Sequence, residues 1–253
     1  MYKHLEEITL NTWPAQQTLL LHGWVLRYAG GYTKRANSVS PLYKPEGKSA
    51  EELISLCEAF YSGCVLDTVF KITPYTEPDD LDERLHRKGY AVADPSSVRV
   101  LDLERVPEPD REAVWQERLD DEWLDGLARL NGLSLRDREL TRDMLKNSAL
   151  RQGFFRLMEH GSTVACGLGV VHNGYVGLYD IVTDVRYRRR GMAQQLILNI
   201  LAWGKRVGAR ASFLQVVDRN EAAVALYDKL GYEEVYTYKY RIKKTHPQME
   251  EES

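Results

Sequence analysis

The chain has 253 residues, room for one large domain or two of ordinary size, and its 43% hydrophobic content supports packed cores and excludes a disordered or collagen-like chain. Its 34 basic and 37 acidic side chains leave a net charge of -3, mixed along the sequence, which argues against a general nucleic-acid-binding surface. No run approaches the roughly 18 apolar residues of a membrane span, and Met1-Tyr2-Lys3-His4-Leu5-Glu6-Glu7 lacks the apolar core of a signal peptide. Cys57, Cys64 and Cys166 are odd in number and form no C-x-x-C pair, which suits reduced thiols and a cytoplasmic protein, monomer or homodimer.

In chain order, Leu19 to Tyr28 and Tyr32 to Val39 are β-rich runs, and Ala29-Gly30-Gly31 between them predicts a hairpin. A turn through Lys44-Pro45-Glu46-Gly47-Lys48-Ser49 leads to a helix from about Ala50, with Leu53, Ile54, Cys57 and Phe60 on its apolar face. A strand (Val65 to Thr73), a short helix (Leu81 to Arg87), Gly89-Tyr90 and a strand (Ser97 to Leu103) follow. Asp110 is placed to cap a helix over Arg111 to Leu130, whose Trp115, Leu119, Trp123, Leu127 and Leu130 share one face. A second helix is expected over Leu135 to Asn147. Phe154 to Glu159, Thr163 to Val171 and Tyr175 to Val182 form a meander, with Asn173-Gly174 as a turn signal.

The last of these strands runs into Thr183-Asp184-Val185-Arg186-Tyr187-Arg188-Arg189-Arg190-Gly191-Met192-Ala193 and then the apolar-periodic run Gln194 to Val207. A helix start carries unpaired N–H groups and partial positive charge, and glycine admits close approach to the backbone, so this turn favours phosphate. An arginine run on a surface turn is otherwise a solvated patch. Here Gly191, Ala193 and the following helix give it the form R-x-x-G-x-A.

At these residues the sequence resembles the GNAT superfamily of N-acetyltransferases, whose pyrophosphate loop reads Q/R-x-x-G-x-G/A between a strand and a long helix. Asn220-Glu221-Ala222-Ala223-Val224-Ala225-Leu226-Tyr227-Asp228-Lys229-Leu230-Gly231-Tyr232 resembles the family's N-x-x-A-x-x-L-Y-x-x-x-G-F/Y segment, and the two motifs stand in the family's order. The resemblance, strong from about Phe154 to Ile242, implies acetyl-CoA as co-substrate and an amine as acceptor. It puts the pyrophosphate on the amides of Arg188, Arg189, Arg190, Gly191, Met192 and Ala193, and the pantetheine along the strand edge Ile181-Val182-Thr183. Asn220 matches a position that often contacts the cofactor, and Tyr227 matches the general acid toward the sulfur. A phenol with a pKa near 10 is protonated at neutral pH and able to donate, although core packing is the other reading of that tyrosine.

The base is open. Gly177 holds the position where the family often has a carboxylate, and Tyr179 is the next inward candidate. Asp180 is nearby, although strict alternation sends it to the other face, and Glu233 and Glu234 are further options. No metal is expected, because the six histidines form no i, i+4 pair and join no cysteine cluster. Cys166 reads as a small buried hydrophobe.

Gly89-Tyr90 and Gly231-Tyr232 are 142 residues apart, and the same offset brings Val39 onto Ile181 and Leu85 onto Tyr227. The order of elements repeats with it. The expected fold class is α/β: two tandem GNAT folds, each a mixed, mostly antiparallel sheet flanked by helices. The expected domains are residues 1–103, degenerate, and 104–253, catalytic. The expected function is N-acetylation of a primary amine by direct attack in a ternary complex. A non-catalytic acyl-CoA sensor or interaction module is the alternative.

Overall fold

The computed structural model describes residues 2–245 and contains seven α-helices and eleven β-strands among them. The chain forms two compact units, Met1–Pro14 with Ser97–Val235, and Ala15–Ser96 with Tyr236–Ser253. Each unit thus draws on two segments, where the sequence suggested one boundary between 103 and 104. The cause lies at the ends. The unforeseen first helix, α1 (Lys3–Thr12), packs on strand β8 (Ser162–His172), and the far end of β11 (Glu233–Lys243) pairs with β4 (Thr68–Ile72).

In the second-named unit the strand order is β1 (Gln17–Leu21), β2 (Trp24–Tyr28), β3 (Val39–Ser40), β4, β11, with helices α2 (Ala50–Gly63) and α3 (Leu81–Arg87). The hairpin turns at His22-Gly23, not at Ala29-Gly30-Gly31. Both turn residues have positive φ (48° and 97°), as a two-residue hairpin loop requires. A Cβ on Gly23 would lie 2.9 Å from the Lys44 carbonyl oxygen. Residues 29–31 instead wrap the Asn37 side chain, whose Oδ1 accepts from the N–H groups of Ala29 (2.7 Å) and Gly31 (2.9 Å). On α2, Leu53, Ile54 and Cys57 are buried as the periodicity predicts.

In the other unit the strand order is β5 (Ala91–Asp102, from Ser97 on), β10 (Ala211–Val217), β9 (Tyr175–Thr183), β8, β7 (Arg151–Glu159), β6 (Val114–Gln116). Its helices are α1, α4 (Asp121–Asn131), α5 (Leu135–Lys146), α6 (Met192–Arg206) and α7 (Glu221–Leu230). The meander of β7, β8 and β9 is antiparallel and β9–β10 is parallel. The helix expected over 111–130 begins ten residues later. Trp115 is a strand residue opposite Phe155, and its ring stacks on Phe155 at 5.8 Å; the i, i+4 spacing to Leu119 and Trp123 imitated a helical face. Asp120, not Asp110, is the cap, accepting from Trp123 N–H at 2.7 Å.

Helix α6 covers one face of this sheet. Gly167 and Gly169 admit it: a Cβ on Gly169 would sit 2.6 Å from Ile200 Cγ2. The alternate residue Cys166 faces the other way, where Gly126 of α4 lets that helix settle close to the Cys166 sulfur. The chain is therefore α/β, a mixed and mostly antiparallel sheet flanked by helices. No helix among the described residues is long and apolar enough to cross a membrane.

Candidate active site

The basic turn is built from its own backbone. Asp184 caps a short 3₁₀ turn, Val185–Tyr187, by accepting from Arg186 N–H at 2.9 Å, and it binds the Arg186 guanidinium at 2.8 Å. These bonds hold its carboxyl well below the usual carboxylate range. Arg188 reaches back to the Thr183 carbonyl oxygen at 3.4 Å, and Arg190 lies over the Tyr187 ring at 5.3 Å. Arg189 and Gly191 both have positive φ, 61° and 76°. Left-handed residues on either side of Arg190 turn successive N–H groups toward one side, the form of an anion nest.

Gly191 is the N-cap of α6, and no side chain caps that helix. The position a Cβ would take there has nothing within 4 Å. The first turn of α6 thus presents unpaired N–H groups and the positive end of a helix dipole to open space, and the three arginines that precede it are exposed.

Beside it the sheet opens. β9 and β10 pair only at Tyr175/Ala211, Val176/Ser212 and Gly177/Phe213, yet β9 continues to Thr183 and β10 to Val217. The edge of β9 facing β10 is left without strand partners from Leu178 onward, and it contains Ile181, Val182 and Thr183. Such an edge offers an extended ligand a ladder of amides.

Asp180 sits at a bulge. Leu168 pairs with Tyr179 and Cys166 with Val182, so Asp180 and Ile181 together oppose Gly167, and Asp180 has φ 52°. The bulge breaks the alternation that assigned Asp180 to the face opposite Tyr179. Ile181 packs into the core under α6, and one Asp180 carboxyl oxygen is buried at the bulge. Glu233 and Glu234 are not brought to this opening; both are exposed at the start of β11, and Glu234 lies 3.9 Å from Arg99.

Asn220 caps α7, its Oδ1 accepting from Ala223 N–H at 3.3 Å. Lys229 of α7 donates to Gln194 of α6 at 3.2 Å, tying the two motif helices together. Tyr227 is 8% exposed, with its ring edge-on to Tyr232 at 5.7 Å. The Tyr232 hydroxyl is spent on Ser212 Oγ at 2.7 Å, and burial pushes its pKa up.

On the face opposite α6, Tyr179 stacks on Trp13 at 5.2 Å and its hydroxyl pairs with Thr12 Oγ1 at 2.7 Å. Sequence reasoning missed both, because α1 gave no capping or strong periodic signal. The acidic run on α4 is exposed and paired with arginines at the surface. Asp121 binds Arg142 at 2.5 Å, Glu122 binds Arg156 at 2.7 Å, and Asp125 binds Arg138. Cys166 is fully buried and its thiol is pushed up to about 12, so it stays protonated and is no nucleophile.

Residues 2–241 match a family described as "Probable histone acetyltransferase Rv0428c C-terminal". "Uncharacterized N-acetyltransferase YobR" of Bacillus subtilis is 30% identical over 248 residues, 96% of this chain and 98% of that protein. Among solved structures, a GCN5-related N-acetyltransferase from Kribbella flavida shares the fold with a TM-score of 0.72 at 12% identity, over 96% of this chain and 95% of that one. A tandem GNAT protein from the clavulanic acid biosynthesis pathway superposes with a TM-score of 0.59 at 14% identity, over 83% of this chain and 76% of that one. The open sheet, the nest before α6 and these likenesses agree: the chain belongs to the Rv0428c C-terminal family of GNAT N-acetyltransferases and is an acyltransferase.

Proposed function

We propose that the protein transfers an acetyl group from acetyl-CoA to an amine by direct attack in a ternary complex. The observation that carries this reading is the meeting of an uncapped, arginine-flanked helix start at Gly191 with the unpaired edge of β9. The amides from Arg188 to Ala193 hold the pyrophosphate, and the backbone of Ile181, Val182 and Thr183 pairs with the pantetheine amides. Asn220 supports the cofactor from the start of α7.

In the transfer the neutral amine nitrogen bonds to the acetyl carbon as the carbon–sulfur bond breaks. The departing sulfur takes the Tyr227 hydroxyl proton, the amine proton passes to the Asp180 carboxylate directly or through water, and solvent reprotonates the phenol. The bulge supports Asp180 in this role by taking it out of the strict alternation beside the unpaired edge of β9. The protonated state of buried Cys166 favours direct attack over an acyl-enzyme.

The same reading confines the chemistry to the second half of a tandem pair, with the nest, Asn220 and Tyr227. The first half is a degenerate copy. A thiol-release assay over a panel of amines tests the function. Amine-dependent release of CoA at turnover rates supports it, and binding of acetyl-CoA without release to any amine would leave a non-catalytic sensor.

A further inference from the structure

Past Gly177 and Phe213, the last residues that pair β9 with β10, the next side chains on the face away from α6 are Tyr179 and Gln215. The faces are fixed by their neighbours. Leu214 and Val216 join the core cluster that includes Leu196, Ile200 and Tyr232, whereas the Phe213 ring points the opposite way, 6.3 Å from the rings of both Tyr175 and Tyr179. Gln215 follows Phe213 by two residues and lies on its side of the strand.

Its carboxamide is an anomaly. Both Nε2 and Oε1 are shielded from solvent, and neither has a hydrogen-bond partner among the described residues. On the same face the Tyr179 hydroxyl is already paired with Thr12 Oγ1 at 2.7 Å. A methionine would fill the same volume without leaving a desolvated donor and acceptor unpaired, so packing does not account for a glutamine here. The residue keeps part of its surface open, and it lies just past the point where β9 and β10 stop pairing.

We infer that Gln215 is a specificity residue for the acceptor, which carries an amide beside the amine that is acetylated. A carboxamide offers one donor and one acceptor in fixed relation, and an amide C=O and N–H complete both. The acceptor class is therefore a peptide N-terminus or an amino-acid amide. A bare alkylamine would leave both groups of Gln215 unpaired, and a site built to hydrogen-bond a group discriminates against analogues that lack it. This inference rests on the acetyltransferase reading.

The test uses the full chain, acetyl-CoA, L-alaninamide and sec-butylamine, which has the same branched amine without the amide. These amines differ in basicity, so the readout is the change in their kcat/KM ratio between variant and wild type. Gln215→Met should lower kcat/KM for L-alaninamide by roughly 10- to 100-fold, leave sec-butylamine within about twofold and leave acetyl-CoA affinity, read by calorimetry, unchanged. Gln215→Glu, which keeps an acceptor oxygen and loses the donor, should fall between them and serves alone if the methionine variant does not fold. An unchanged ratio, equal losses for both amines, or a wild type that binds acetyl-CoA yet acetylates sec-butylamine alone or neither amine, would overturn the role of Gln215. Failure of the wild type to bind acetyl-CoA would overturn the underlying reading as well.

Discussion

On the tandem reading proposed above, helix α2 is the counterpart of α6, and their first turns have opposite chemistry. At α6 the cap is Gly191, no side chain satisfies the helix start, and Arg188, Arg189 and Arg190 precede it. At α2 the start is closed by a capping box: Ser49 Oγ accepts from Glu52 N–H at 3.3 Å, and Glu52 Oε2 accepts from Ser49 N–H at 2.8 Å. Glu51 and Glu52 fill the first turn with negative charge, and the Ser49 backbone bond holds the Glu52 carboxyl below its usual range. Pro45 removes one further donor. A helix start can satisfy its orphan N–H groups internally or leave them for an anion. The two halves have taken different options, and the difference extends to the last helices, where α7 carries Tyr227 and α3 carries Leu85, buried with no hydroxyl.

The substitution that should break this contrast most severely is Gly191→Asp. Aspartate adopts the left-handed conformation more readily than most residues, and the space for its Cβ is empty, so the variant should fold. A carboxylate about 4 Å from one phosphate charge costs about 4 kcal/mol at an effective dielectric near 20. Acetyl-CoA affinity should fall by on the order of 10³-fold, and Gly191→Asn, the uncharged match, should lose far less; calorimetry reporting equal small losses for both would sink the nest. Next in size is Tyr227→Phe, which makes α7 resemble α3 in chemistry while keeping the ring. Turnover should drop by roughly 10- to 10⁴-fold with acetyl-CoA affinity little changed. Wild-type rates would return Tyr227 to core packing.

The sequence disclosed what local chemistry dictates. R-x-x-G-x-A before an apolar-periodic run requires a strand, a turn and a helix, and those are what residues 175–206 form. The Asn173-Gly174 turn and the helix from about Ala50 were legible for the same reason, since turn residues and helical periodicity act between near neighbours. What was hidden depends on partners distant in sequence. Trp115 reads as helical until Phe155 lies opposite it. The side of Asp180 depends on a bulge created by its pairing with β8. Gln215 becomes notable only when β9 and β10 part after Gly177 and Phe213 and its amide is seen to lack a partner.

Smaller effects sharpen the contrast from the other half. Replacing Ser49 and Glu52 together by alanine opens the start of α2, and losing the cap should cost about 1 kcal/mol of stability by denaturant melt. No acetyl-CoA site should appear there, because Pro45 and Glu51 remain; a second binding event would show the capping box alone to be the block. Smallest of all is Cys166→Ala. With its thiol pushed up to about 12, Cys166 carries no acetyl group, so kcat should stay within about threefold of wild type and mass spectrometry of the wild type with acetyl-CoA should show no acetyl adduct at this residue. An adduct there, or loss of turnover, would replace direct attack with an acyl-enzyme.

The central claim is that one of two equivalent helix starts binds the cofactor. Its most direct measurement is the stoichiometry of acetyl-CoA binding to the wild-type chain by isothermal titration calorimetry. The account predicts a single-site isotherm with one molecule per chain. Two sites per chain, or none, would contradict it.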